Sequence, residues 1–148
     1  MKLRFLLTLS ILLGSFTGLT STSASANGDD HTELGEQMEV IGKTFRSLRR
    51  AVRDPAKNAE AAEMAGKMLA AAQASIDHDP MWTADQPADE QADFVAGYKK
   101  EMEKFIQLLT DLKAALEADD NEKANEIVGA LRDQQRSSHK AYKKPDED

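Results

Sequence analysis

The chain contains no cysteine. That absence removes disulfides, thiolate metal centres, iron–sulfur clusters, a thiol nucleophile and any cofactor tethered through thioether bonds. Valine, isoleucine and threonine are sparse, and no stretch alternates apolar and polar residues with a period of two, so strands are not expected. Net positive charge is also missing: 26 acids face 19 bases, for a formal charge of −7. An acidic chain of this kind disfavours nucleic acid and anionic membranes as partners and suits a self-repelling monomer. No His-Glu-x-x-His, glycine-rich phosphate loop or Ser-His-Asp grouping occurs, and no carboxylate pair stands apart from the solvated faces. Nothing in these residues points to an enzyme.

The one apolar run lies at the start, from Phe5 to Leu13, after Met1-Lys2-Leu3-Arg4 and before a Ser/Thr/Gly stretch ending Ala24-Ser25-Ala26. A basic start, a short apolar block and a small-x-small ending read as a secretory signal, cleaved after Ala26. The block is too short to span a bilayer core of roughly 30 Å, so membrane insertion is not expected. Loss of Lys2 and Arg4 leaves residues 27–148 still more acidic, as a single domain exported most simply to a bacterial periplasm.

What remains is rich in Ala, Glu, Lys, Leu, Met and Gln, a helix-forming composition. Breakers at Asp54-Pro55, His78-Asp79-Pro80 to Gln86-Pro87, Asp119-Asp120-Asn121 and Pro145 divide it into four segments. The first, about Thr32 to Arg53, carries Leu34, Met38, Ile41, Phe45, Leu48 and Val52 at alternating spacings of four and three, with Thr32 as N-cap. The second, about Pro55 to Asp77, has a thin stripe of Ala61, Ala65, Met68, Leu69, Ala72 and Ile76. The third, about Asp89 to Ala118, runs along Phe94, Tyr98, Met102, Phe105, Leu109, Leu112 and Leu116. The fourth, about Glu122 to Lys144, shows Ala124, Ile127, Val128, Leu131, Gln135, Ser138 and Tyr142. Short connections predict an all-α fold, an antiparallel up-down-up-down four-helix bundle.

That topology brings the start of the first helix, the end of the second, the start of the third and the end of the fourth to one pole. The long loop 78–88, with Met81 and the sole tryptophan, Trp82, lies there too. Met38 and His139 fall at similar depth from this pole, joined by Met68, Phe94 and Tyr98. The alanines of the second segment would leave room for a flat guest. A thioether and an imidazole on facing walls suit axial ligation of haem iron. The alternative is a haem-free bundle, in which Met38, Met68, Met81, His31, His78 and His139 would suit a copper-like ion or the acidic surface a protein partner. His31 and His78 fall outside the stripes and are expected to be solvated. The run Arg46, Arg49, Arg50 and Arg53 closes the first helix against its dipole.

Several stretches bear a family likeness. Leu34-Gly-Glu-Gln-Met38-Glu-Val-Ile41 resembles the opening helix of the soluble cytochrome b562 family, and Leu131-Arg-Asp-Gln-Gln-Arg-Ser-Ser-His139-Lys-Ala-Tyr142-Lys143 resembles its closing helix. Lys67-Met68-x-Ala-Ala-Ala72 and Asp93-Phe94-x-x-Gly97-Tyr98 are similar to the helices between. The resemblance implies one non-covalent haem b per chain, with Met38 and His139 as iron ligands and Leu34, Ile41, Met68, Phe94 and Tyr98 packed on the macrocycle. It implies a periplasmic carrier of single electrons that meets a redox protein partner. The related cytochromes c′ attach haem through two cysteines, whose positions here are Gln135 and Ser138, so attachment would not be covalent.

Overall fold

The structure is a computed structural model that describes residues 32–144. The leader, His31 and the last four residues lie outside the described residues, and so does the expected cleavage after Ala26. Among the described residues there are four long helices and no strand: α1 (Glu33–Ala51), α2 (Asn58–Ser75), α3 (Gln91–Glu117) and α4 (Asn121–Tyr142). Short 3₁₀ turns at Pro55–Lys57 and Met81–Asp85 sit in the first two connections.

Helix ends follow local chemistry. Gly35 N donates to Thr32 Oγ1 at 3.0 Å, so the expected cap of α1 forms. Asp54 accepts from Ala56 N at 3.1 Å and starts the turn at Pro55, which delays α2 until Asn58. Lys123 N donates to Asp120 Oδ1 at 3.0 Å and caps α4. Between α3 and α4 the chain reverses at Asp119, whose φ of 56° is left-handed, while Asp120 N donates back to Ala115 O at 2.9 Å.

Three cross-links fix the helix directions. Asn58, at the start of α2, donates from Nδ2 to Asp119 Oδ1 beyond the end of α3 at 2.9 Å. Gln134 Nε2 of α4 donates to Glu101 O of α3 at 2.7 Å. His78, just past α2, stands 3.6 Å from Glu33 at the start of α1. The Asn58–Asp119 and His78–Glu33 ties each join the beginning of one helix to the end of its neighbour, as an up-down-up-down bundle requires, while Gln134–Glu101 clamps the middle of α4 to the middle of α3.

Helix α1 packs on α2, α2 on α3 and α3 on α4, whereas no comparable packing joins α1 to α4. One apolar core nevertheless draws on all four helices, including Leu48, Met68, Leu112 and Leu131. The core-facing alanines of α2 do not line open space. Ala61, Ala65 and Ala72 are fully enclosed, and their small side chains let the neighbouring helices approach α2 closely. The expectation that they face a roomy cavity is therefore corrected.

Candidate functional site

The helices do not reach the core evenly along their length. The first buried side chain of α1 is Ile41, two turns inside the helix. The last of α4 is Leu131, about three turns before its end. At this same pole α2 stays buried to its last turn, at Met68, Ala71, Ala72 and Ser75, while α3 first enters the core at Tyr98, two turns inside, followed by Met102. The opening of α1 and the closing turns of α4 therefore face one another across the one seam that lacks close packing.

Met38 and His139 stand on these two walls. Met38 is half-buried and packs against the core together with Leu34 and Val40. His139 is exposed, and no hydrogen bond to its ring is present among the described residues. Counted at roughly 1.5 Å per residue, Met38 lies about 8 Å from the start of α1 and His139 about 5 Å from the end of α4. Each lies within about two turns of its helix end. Partial burial, then the nearby Lys143 cation, hold the His139 pKa below the ordinary histidine value, and solvent exposure limits the effect. The neutral imidazole, the form that ligates a metal, is favoured.

The remaining expected residues divide among three helices. Leu34 and Ile41 share the α1 wall with Met38, Leu34 half-buried and Ile41 at the rim of the core. Met68 is fully enclosed in α2. Phe94 and Tyr98 are committed to α4 and to the loop: Phe94 meets Tyr142 at 5.1 Å and Trp82 at 6.0 Å, and Tyr98 meets Tyr142 at 5.9 Å, all edge-on. The Tyr98 hydroxyl donates to Ser75 O at 3.1 Å. Its burial, with a smaller push from Asp79, raises the phenol pKa to about 12.

The loop is tied to the end of α4 and braced within itself. Lys144 Nζ pairs with Asp85 at 2.9 Å, and Gln86 Nε2 donates to Trp82 O at 3.2 Å. His78 is not simply solvated as expected: it is half-buried and faces Glu33. Among the described residues, no group of three or more His, Asp or Glu side chains is placed to hold a metal ion. The copper-like alternative would have to rest mainly on thioethers.

Sequence reasoning passed over one pair. A Cβ on Gly97 would stand 2.6 Å from the Tyr142 hydroxyl, so the two helices close on each other here only because residue 97 has no side chain. A glycine inside a long helix is the available signal, since it marks either weakness or close approach.

Does this arrangement suit haem? The walls offer a soft sulfur, a neutral nitrogen, apolar neighbours and a seam that protein does not close. The donors and the opening fit. The family described as Cytochrome b562 matches residues 33–143 of the chain. No curated protein and no solved structure matches it.

Proposed function

The chain belongs to the cytochrome b562 family, haem-binding electron carriers that hold one non-covalent haem b, and on that footing we propose that it is a periplasmic carrier of single electrons in which Met38 and His139 are the axial ligands. The observation that carries the ligand assignment is the unclosed seam between the start of α1 and the end of α4, with a thioether on one wall and an imidazole on the other.

When bound, haem supplies iron that alternates between two oxidation states. The chain's own residues do the rest. His139 would supply a neutral nitrogen lone pair, and Met38 a sulfur of the kind that raises the potential of haem iron. Leu34, Ile41, Met68, Phe94 and Tyr98 would line the ring and keep water from it. The core-facing sides of α2 and α3, closed at Met68, Ala72 and Met102, would limit rearrangement on electron transfer.

Export to the periplasm is supported by the leader pattern at residues 1–26. No helix among the described residues is long and apolar enough to cross a membrane. A monomer, meeting its redox partner transiently, suits the charge of −7.

The purified exported protein should show a Soret band with sharp reduced α and β bands, on its own or after addition of haemin. His139→Ala should lose the low-spin spectrum, and Met38→Ala should leave a high-spin form open to small ligands. Parent spectra in both variants would overturn the ligand assignment. Metal uptake in equal amount without a Soret band would turn the reading to a copper-binding bundle.

A further inference from the structure

Beyond Leu131, α4 has no fully buried residue, so something other than the core must fix its last three turns. Two side-chain attachments to α3 bracket His139. Gln134 donates to Glu101 O five residues before it. Tyr142, three residues after it, lays its ring between Phe94 and Tyr98 and its hydroxyl over Gly97. Lys143 N donates to His139 O at 3.0 Å, which makes His139 and Tyr142 members of one closed turn. Whatever moves the Tyr142 ring moves the turn that carries the imidazole.

We infer that the Gly97–Tyr142 notch is a positioning device: it seats the final turn of α4 on α3 and thereby sets where His139 stands relative to the haem. The inference rests on the ligand role given above to His139. Its physical basis is the steric register at residue 97. A methyl there would meet the hydroxyl at 2.6 Å, and ordinary contact of about 3.5 Å requires the oxygen to retreat by almost an ångström. The ring has little room to yield. Phe94 is behind it, itself backed by Trp82, and Tyr98 closes the other side. A glycine inside α3 costs roughly 1 kcal/mol relative to alanine, and the close seating of Tyr142 is what that position provides.

The same geometry supplies a rescue. The next atoms of the Tyr142 ring lie 3.5 and 3.7 Å from a Cβ at residue 97, which is ordinary contact. Removing only the hydroxyl should therefore undo the clash.

Haem-loaded parent, Gly97→Ala, Tyr142→Phe and the double variant should be compared for spin state, reduction potential and haemin release to an acceptor protein. Gly97→Ala should release haemin about tenfold faster and show high-spin character, the scale expected when a ligand's support is disturbed. Tyr142→Phe should stay near the parent, and the double variant should return to within about threefold of it. Without haem, amide exchange at Tyr142 and Lys143 should quicken in Gly97→Ala and recover in the double variant, which separates a loosened turn from a misfolded chain. A Gly97→Ala protein with parent spectrum and release rate overturns the inference, as does a double variant no better than Gly97→Ala. If His139→Ala also keeps the parent spectrum, the ligand assignment fails and takes the notch's role with it. A failed rescue where His139→Ala does lose the spectrum removes the notch alone.

Discussion

The two poles of the bundle use the same four helices and differ in how many of them reach the core. At the pole of the tight turns all four contribute: Leu48 and Val52 from α1, Ala61 from α2, Leu112 and Leu116 from α3, Ala124 and Ile127 from α4. At the pole of the long loop only α2 is buried to its end, while α1 before Ile41, α3 before Tyr98 and α4 after Leu131 carry no buried residue. Stability and ligand chemistry are thus separated along one axis. The closed pole holds the helices in register, and the open pole is left with donors on two walls that packing does not join.

The sharpest way to break this comparison is to truncate one residue at each pole. Leu116 is almost fully enclosed, so Leu116→Ala should cost about 2–5 kcal/mol in urea unfolding of the haem-free protein. His139→Ala, an exposed change, should stay within about 0.5 kcal/mol under the same conditions. Its effect should appear only in the haem spectrum. If both variants lost similar haem-free stability, the poles would not differ in the way their burial indicates.

Tyr98 tests how far the closed region extends, because it is buried yet lies at the open pole. Tyr98→Phe should cost about 1 kcal/mol at neutral pH through the lost hydrogen bond to Ser75 O. The alkaline limb is more telling. The phenol titrates near 10.0 when unfolded and at about 12 when folded, so the folded state keeps its proton longer. Its contribution is complete below pH 10 and is lost as pH rises from 10 through 12, on the order of 2 kcal/mol in all. Denaturant midpoints taken between these limits should fall in the parent and flatten in Tyr98→Phe. An unchanged slope would assign the alkaline loss to other groups.

Much of this was legible in the residues. The four-three spacing from Leu34 to Val52 corresponds to α1, and Thr32 caps it as its position predicts. The polar members of the fourth stripe, Gln135 and Ser138, already hinted that the core does not follow α4 to its end. What periodicity could not convey was distance between helices. The α2 alanines could have lined a cavity or drawn their neighbours inward, and composition is the same in either case. The Gly97–Tyr142 notch depends on where α3 and α4 cross, and the pairing of His78 with Glu33 on where a loop folds back. Local rules specify elements, whereas contacts between elements are set by the packed whole.

The mildest comparison sets one tie at each pole side by side. Asn58 at the closed pole is buried and donates to Asp119, the residue with left-handed backbone that turns α3 into α4. Asn58→Ala should cost about 1 kcal/mol, since a buried bond is lost and the Asp119 carboxylate is left without that donor. Asp85 at the open pole pairs with Lys144, and both side chains are about half exposed. Asp85→Asn should cost less than about 0.5 kcal/mol, and the difference from parent should shrink further as salt is raised, because water and ions already screen the pair. Equal costs for the two variants would mean that the loop over the open pole is held as firmly as the turn at the closed one. Unequal costs in the expected order would make that loop the cheaper part to displace, which is what a pole that must admit a planar cofactor requires.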